Sequence, residues 1–382
     1  MLRRSITAAL GLLTSSPAPA HAQDSLLVIR AGHWVNVQQG TLEGETLILI
    51  KGERISRLSP ARTGEVPVTA RVIDLSKLTV MPGLIDAHVH LTIGTPDSTA
   101  RATLLAGFTT VQDLGALNHA NLDLRNAIES GKTVGPRIHS AGSWIGVKGG
   151  ICDFDGRGVR GENEFAARTR EEIANGADLI KVCVTGWPAD GYRFPDSVEI
   201  TEAELAAVVR EARAANKKVI AHAIGRRGAF MAVSAGVQAL AHSAFLDSTT
   251  IAMMKTRRVY LIPTLLSFQG DRPALLALQK EMRGVLASGI PIAMGTDAGV
   301  TPHGGNATEL ETMVAAGMSP LSAVRSATIN AADLLGMSKL IESIAPGTMA
   351  DLIAVEGNPL EDVRTLQHVL FVMKAGRTYL TP

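Results

Sequence analysis

Short apolar runs and amphipathic segments alternate along the middle of the chain. The apolar runs, many rich in Val, Ile and Leu, predict strands, and the segments between them repeat apolar residues at helical spacing. The predicted strands lie at 85–90, 109–114, 137–141, 179–184, 219–222, 239–242, 260–265 and 292–296. Examples of the predicted helices are 164–175, 202–215 and 272–287.

This alternation predicts an α/β fold. Thr201 is the expected N-cap of the helix at 202–215, and Glu204 completes a capping box. Eight strands and their helices over about 260 residues match a (β/α)8 barrel of the TIM type, at residues 82–344. An open doubly wound sheet would also alternate, but no Gly-rich phosphate-binding sequence follows the first strand.

The two ends of the chain have a different pattern. Apolar runs at 26–29 and 45–50 near the start, and at 350–355 and 369–373 near the end, predict strands separated by turns. β-rich ends around a different middle predict one small sheet domain built from residues 23–81 and 345–382.

The first 22 residues have the features of a secretory signal peptide. Arg3 and Arg4 precede a short apolar segment at 6–13, and Ala-His-Ala at 20–22 provides a cleavage site. A disordered start and a membrane anchor are the alternatives, but an anchor needs ~20 apolar residues. We therefore expect an exported protein, periplasmic or secreted, with no membrane association beyond export.

Composition narrows the remaining function classes. Of 382 residues, 46% are hydrophobic and 19% charged, which suits a large globular core. The formal net charge is +1 and no Lys/Arg stripe follows the start, so we expect no nucleic-acid partner. Cys152 and Cys183 are too few for a disulfide framework, and the sequence leaves their pairing open. Exposed barrel faces often make symmetric contacts, so a homo-oligomer is compatible with this fold.

Histidines fall at the carboxyl ends of predicted strands, where a barrel of this class holds its chemistry. His88 and His90 end the first strand, and their spacing of two places both imidazoles on one face, able to chelate one cation. A lone histidine in a strand is more often a satisfied core residue. His-x-His after an apolar strand favours a metal site instead.

Three further residues follow later strands. His222 ends the fifth predicted strand, His242 ends the sixth, and Asp297 follows the eighth. Each has an ordinary interpretation alone, either a buried histidine bonded to backbone or an aspartate that caps a turn. Together with the first histidine pair they would converge on one pocket, and the combination predicts metal binding.

Lys181 lies among apolar residues on the fourth predicted strand. Burial of an ammonium is costly unless it is paired or neutralised, and an ammonium cannot bind a metal. Condensed with CO₂ to a carbamate, the same side chain would end in a carboxylate that can bridge two cations. A structural lysine paired with a barrel carboxylate is an equally good interpretation of the residue alone.

These residues resemble the amidohydrolase superfamily over nearly the whole chain. The resemblance rests on Met-Pro-Gly-Leu-Ile-Asp-Ala-His-Val-His at 81–90, Gly-Thr-Asp-Ala-Gly at 295–299, Asn-Ala-Ala-Asp-Leu-Leu-Gly at 330–336, Pro-Gly-Thr-Met-Ala-Asp-Leu at 346–352, and Lys181, His222 and His242. More narrowly, the chain is similar to prolidase-like and imidazolonepropionase-like hydrolases with a carboxylated lysine.

The resemblance implies a centre of two divalent metal ions. The implied ligands are His88, His90 and Asp297 for the first ion, His222 and His242 for the second, and carboxylated Lys181 as the bridge. Zinc suits this histidine-rich set, although affinity does not decide which metal the cell supplies. The resemblance also implies a β-sandwich from the two termini. Since members of this branch remove C-terminal residues from dipeptides or N-acyl amino acids, we expect a small-molecule amide or dipeptide substrate.

One departure from the branch concerns substrate recognition. Many relatives have Gly-Gly-His-Gly in the loop after the third strand, whereas this chain has Gly-Gly-Ile-Cys at 149–152. The substrate of the branch therefore does not transfer directly. We expect His303, after the eighth strand, and His139, on the third, to contact substrate. A surface-loop position and a core position are the competing interpretations.

The implied reaction is amide hydrolysis by a metal-activated hydroxide. Asp297 would accept the proton of the water and return it to the leaving amine. A lactonase or cyclic-amide hydrolase is compatible with the same residues. A metal-binding or solute-binding protein without turnover is a further alternative, but pure binding does not need a proton carrier at Asp297.

Overall fold

The computed structural model describes residues 26–187, 197–242, 244–268 and 272–382. The predicted signal peptide at 1–22 lies outside these residues. The prediction of a mixed α/β fold is confirmed. Within these ranges, the strands form three sheets, one assembled from both ends of the chain and two from its middle.

The sheet built from the chain ends has the order β15-β14-β13-β5-β1-β3-β4, with β2 paired to β1. Its strands are β1 (Leu26–Asn36), β2 (Thr41–Glu43), β3 (Thr46–Lys51), β4 (Arg54–Pro60), β5 (Arg71–Pro82), β13 (Leu352–Val355), β14 (Phe371–Lys374) and β15 (Arg377–Leu380). β5 joins the two ends, since it runs parallel to β1 and antiparallel to β13. Ile29, Ile48 and Phe371 are fully buried in one apolar cluster of this sheet. The β-sandwich and the domain boundaries stay predictions.

The middle of the chain forms two parallel sheets. The first contains β6 (Leu84–Val89), β7 (Phe108–Asp113) and β8 (Arg137–Ser140), and the second contains β9 (Ile180–Cys183), β10 (Val219–His222), β11 (Ala239–Ala241) and β12 (Tyr260–Ile262). Every residue of β6, β7 and β9 to β12 is buried, as expected of strands covered on both faces. Seven of the eight strands predicted for the middle are therefore present.

The eighth predicted strand, at 292–296, is not regular. Isolated bridges join Ile292 to β12 and Ala298 to β6, so the segment lies between edge strands of the two parallel sheets. The amide of Thr296 donates to the carboxylate of Asp86 at 3.1 Å. The prediction of a continuous strand is wrong here. Backbone hydrogen bonds still join the segment to both neighbours, from Ala293 to Leu261 at 3.0 Å and from Ala87 to Met294 at 2.8 Å.

Helices connect the strands of the two parallel sheets and extend beyond them. They are α1 (Pro96–Leu105), α2 (Ala120–Glu129), α3 (Gly161–Ala174), α4 (Glu202–Ala214), α5 (Arg226–Ala235), α6 (Ser248–Arg257), α7 (Arg272–Ala287), α8 (Thr308–Ala315), α9 (Pro320–Ser326), α10 (Ile329–Leu335) and α11 (Ser338–Ile341). The predicted capping box of α4 is confirmed, with Thr201 and Glu204 each accepting the other's backbone amide. In the described ranges, no helix combines the length and apolarity needed to cross a bilayer.

Cys152 and Cys183 form a disulfide, with their Cα atoms 6.1 Å apart. The bond ties the loop after β8 to the last residue of β9 across a sequence separation of 31. Beside it, Ile145 and Val182 form a parallel bridge. The loop is therefore fastened to the strand that carries Lys181.

Reduction of this disulfide should lower the free energy of unfolding by about 2–4 kcal/mol, because the unfolded chain regains freedom that the crosslink removes. Urea unfolding with and without dithiothreitol measures the change. A Cys152→Ala/Cys183→Ala double variant should unfold close to the reduced wild type and ignore the reductant. Identical unfolding of the wild type in both conditions would contradict the prediction.

Candidate metal centre

His88 and His90 lie at the end of β6. They approach Asp297, which lies in the irregular segment between the two sheets. Their Nε2 atoms lie 3.4 Å and 3.3 Å from Asp297 Oδ1. One ligand atom from each of the three residues lies within 4.8 Å of the others, so a single metal ion can contact all three. All three side chains are buried.

His222, His242 and Lys181 lie beside this cluster. Among three adjacent strands, His222 ends β10, His242 directly follows β11, and Lys181 lies on β9. The rings of His222 and His242 are 4.7 Å apart, and the ring of His242 is 4.6 Å from that of His88. The positive charge of Lys181 acts on all three of these histidines. The structure thus brings together the six residues predicted to bind metal.

Three of the histidines use one ring nitrogen to contact the protein, which fixes the ring and leaves the other nitrogen for a ligand. The partners are the carbonyl of Gly115 for His90 at 2.8 Å, the hydroxyl of Thr264 for His242 at 2.7 Å, and the backbone of Gly186 for His222. In the described part of the chain, Nε2 of His222 and both ring nitrogens of His88 are buried without a hydrogen-bond partner. Buried polar atoms without a partner are rare, and metal ions would satisfy these nitrogens. The donor set therefore fits divalent metals.

Burial keeps most of these imidazoles uncharged. It lowers the pKa of His222 to about 3 and the pKa values of His88 and His242 well below the ordinary value, with repulsion from neighbouring charges adding to the effect. Burial also disfavours the charged ring of His90, but the nearby carboxylate of Asp297 outweighs it and the pKa of His90 is raised. The neutral ring is the form that binds metals.

Asp86 fixes the backbone of the two segments that carry His88 and Asp297. It accepts hydrogen bonds from the amides of His88 and Thr296, both at 3.1 Å, from the Thr296 hydroxyl at 2.7 Å, and from Asn306 at 2.8 Å. Burial raises its pKa to about 6. Because Asp86 lies on β6, it ties that strand to the segment that carries Asp297.

Asp113, at the end of β7, has a similar role on the other side of His90. It accepts from the amides of Leu91 and Gly115, at 2.9 Å and 3.2 Å, and from the side chain of Asn121 at 2.8 Å. Burial raises its pKa. It thereby fixes Gly115, whose carbonyl holds the ring of His90.

Three residues of the centre have a strained backbone. Asp297 and His242 have left-handed φ values of 59° and 61°, and Thr264, which bonds the ring of His242, has a φ of 49°. A β-branched residue such as threonine rarely adopts this region. Such strain persists where surrounding contacts fix the backbone, and it clusters at functional sites.

The two predicted substrate contacts differ in position. His303 is half-buried beside the centre, with Nε2 3.3 Å from the carbonyl of His90 and Nδ1 3.1 Å from the hydroxyl of Thr103. His139 bonds Gln112 at 3.4 Å. Among the described residues, no hydrogen bond or ion pair links it to the six candidate ligands. Burial lowers the pKa of His139 to about 4.

The loop that contains Gly-Gly-Ile-Cys at 149–152 is held in place by contacts of two of these residues. The amide of Ile151 donates to both carboxylate oxygens of Glu199, at 3.1 Å and 3.2 Å. Its neighbour Cys152 forms the disulfide with β9. Two positions of the Gly-Gly-Ile-Cys sequence therefore hold the loop in place.

Sequence reasoning missed several residues of the centre. Trp144 lies 5.4 Å from the ring of His90, and Trp187 lies 5.7 Å from that of His242. It also missed Asp86 and Asp113. Asp113 had a usable signal, because a carboxylate at the end of a predicted strand lies at the edge that carries the histidines.

Comparison with known proteins finds one matching family model and several similar proteins. The amidohydrolase family model matches residues 79–379. Ochratoxinase from Aspergillus niger is 28% identical, over 79% of this chain and 76% of its own length. A solved Xaa-Pro dipeptidase with bound methionine in its active site superposes with a TM-score of 0.87 at 32% identity, covering 93% of this chain and 100% of its own. A putative prolidase from Bifidobacterium longum gives a TM-score of 0.83 at 28% identity, covering 94% and 95%.

Replacing Asp86 tests the support of the ligand backbone. Asp86→Ala should lower the free energy of unfolding by about 2–4 kcal/mol, since buried donors lose their acceptor. Metal affinity should fall about 10–100-fold because the ligands lose their orientation. Urea unfolding and competition with a chelator measure the two effects. The exposed Asp123→Asn serves as control, and an Asp86→Ala protein with unchanged metal affinity would refute the proposed support.

Proposed function

The chain belongs to the amidohydrolase family, in its prolidase-like branch, and we propose that it cleaves the amide bond of dipeptides or N-acyl amino acids. Membership of this family makes it a hydrolase of carbon–nitrogen bonds. The observation that carries the proposal is the convergence of His88, His90 and Asp297 within 4.8 Å. The substrate is a small molecule, and the bond cleaved is the one that releases the C-terminal amino acid.

We assign two divalent metal ions, with zinc as the expected element, to the six converging residues. His88, His90 and Asp297 would hold the first, and His222 and His242 would hold the second. Lys181, once carboxylated, would be the ligand that they share. The assignment is supported by the buried ring nitrogens without partners among the described residues. It is also supported by the protein contacts that fix the remaining ring nitrogens.

Carboxylation requires an uncharged lysine. Burial lowers the pKa of Lys181 to about 7, even though the charge of Asp297 acts in the opposite direction. A substantial fraction of the amine is then neutral at neutral pH. The neutral amine adds to CO₂ and releases one proton, which leaves a carbamate anion on Nζ. The two oxygens of this anion are suited to contact two cations.

Divalent ions in this position supply Lewis-acid activation of water and of the scissile carbonyl. Asp297 accepts a proton from the water and returns it to the nitrogen of the leaving amine. Its Oδ1 lies 3.4 Å from Nε2 of His88 and 3.3 Å from Nε2 of His90, and the carboxylate is buried. Burial excludes bulk water, so the proton passes to the leaving group and is not lost to solvent.

The compared proteins support release of an amino acid. The Xaa-Pro dipeptidase contains a free amino acid, methionine, in its active site. A bound amino acid is the type of product that C-terminal cleavage would yield. The sequence Gly-Gly-Ile-Cys at 149–152 distinguishes this chain from relatives with a histidine there, so its side-chain preference is its own. His303, beside His90, is the proposed polar contact to substrate, and His139 an inner one.

The architecture and location complete the proposal. We propose that the two parallel sheets and the segment at 292–298 belong to one (β/α)8 barrel domain at residues 82–344, and that the terminal sheet belongs to a β-sandwich domain at residues 23–81 and 345–382. The single bridges at Ile292 and Ala298 support closure. The protein is exported after removal of residues 1–22, and the Cys152–Cys183 disulfide suits an oxidising compartment.

The experiment that tests the function is an assay of the metal-loaded mature protein against dipeptides and N-acyl amino acids. Wild type should release the C-terminal amino acid, and chelation should abolish the release. Lys181→Ala should lose more than about 100-fold in rate and bind fewer metal ions, because the bridge is gone. The proposal would be overturned if wild type with two metals bound hydrolysed no member of the panel, or if it kept full activity after chelation.

Asp297→Asn separates proton transfer from metal binding. The amide keeps the shape of the side chain and one ligand oxygen but cannot take up the proton, so kcat should fall about 10²–10⁴-fold. Metal content, measured by elemental analysis, is the parallel readout. A variant that keeps its metals and most of its rate would show that Asp297 does not carry the proton.

A further inference from the structure

Aromatic rings gather beside the candidate metal centre although they make up only 4% of the chain. Trp144 lies 5.4 Å from the ring of His90 and makes an edge contact with Phe154 at 4.8 Å. Trp187 lies 5.7 Å from His242 and stacks on Phe268 at 5.0 Å with an interplanar angle of 16°. We call these the Trp144–Phe154 pair and the Trp187–Phe268 pair.

The two pairs border different parts of the centre. The Trp144–Phe154 pair adjoins His90, which faces Asp297. The Trp187–Phe268 pair adjoins His222 and His242, with the Trp187 ring 6.1 Å from the ring of His222. A substrate whose amide lies at the metal ions would project its two substituents from the scissile bond toward such neighbouring surfaces.

Both pairs leave apolar surface uncovered. Phe154 is 59% exposed and Trp187 is 37% exposed. Large exposed apolar side chains next to a catalytic centre are typical of ligand-binding surfaces. Flat rings bind other rings by stacking or edge contacts in addition to the burial of apolar area.

The position of Trp144 is fixed by its surroundings. A Cβ atom added to Gly115 would lie 2.4 Å from the indole nitrogen of Trp144, so the indole rests directly on this glycine. The carbonyl of the same glycine holds His90. The loop itself is fastened by the Cys152–Cys183 disulfide and by Glu199. A ring held in this way is ready for a ligand without a loss of side-chain freedom on binding.

We propose that these two aromatic pairs determine substrate specificity, and that the enzyme prefers amides with an aromatic or bulky apolar group on the acyl or the amine side. This inference rests on the proposed amide hydrolysis and adds the substrate class. The pairs bind the substituents of the scissile amide while the metal centre binds the amide itself.

The test compares kcat/KM for N-acetyl-alanine, N-benzoyl-alanine and N-acetyl-phenylalanine, which place a ring on neither side, the acyl side or the amine side. Wild type should favour at least one ring-bearing substrate by about tenfold or more over N-acetyl-alanine. Trp144→Ala and Trp187→Ala should each reduce that ratio about tenfold for one of the two rings. The ratio is insensitive to a general loss of active protein, and Trp144→Phe should keep most of it.

A binding measurement gives a readout that does not depend on turnover. The chain has three tryptophans, and the third, Trp34, lies on β1 in the terminal sheet. Phenylalanine should quench the tryptophan fluorescence of wild type and of the control Trp34→Phe, and quench it less in Trp144→Phe or Trp187→Phe. Hydrolysis of all three substrates without ring preference, or preference unchanged in both alanine variants, would overturn the inference while leaving amide hydrolysis intact. If wild type hydrolysed none of the three substrates, the proposed function itself would be overturned.

Discussion

The structure depends on the need to bury four imidazoles and a lysine around one point without charging them. A charged ring loses its hydration on burial, so most of these rings stay neutral and each needs a partner for its remaining nitrogen. Backbone carbonyls and a threonine hydroxyl meet part of this need. The same crowding around the histidines explains the two glycines of the Gly-Thr-Asp-Ala-Gly segment. A Cβ on Gly295 would lie 2.9 Å from Cβ of His88, and one on Gly299 would lie 2.9 Å from Cβ of His90, so only glycine permits this approach.

The ligands could be predicted from the sequence because they follow local rules. A spacing of two on a strand places His88 and His90 on one face, and the ends of parallel strands meet at one edge. Lys181 could be identified for a related reason. A lysine in an apolar strand needs a partner from another part of the chain, or must lose its charge. The same local reasoning located seven strands of the middle and the capping box of α4.

What the sequence did not reveal depends on contacts between distant residues. Asp86 meets Thr296 across 210 residues, and its carboxylate accepts both the amide and the hydroxyl of Thr296 within the irregular segment. The disulfide needs a loop and a strand end to meet in space, and the aromatic pairs join residues such as Trp187 and Phe268 that no periodicity relates. Position at a strand end indicates which side chains enter a pocket. It does not indicate which of them touch.

The terminal sheet has a consequence for how the polypeptide is made. All six candidate ligands are translated by residue 297, yet β5 acquires its partner β13 only after residue 352. A chain cut short at 344 would therefore carry the complete ligand set but leave residues 79–82 of β5 without their antiparallel partner. Exposed edges of this kind recruit other chains. We therefore expect C-terminal truncation to promote association between chains, although every candidate ligand precedes the cut.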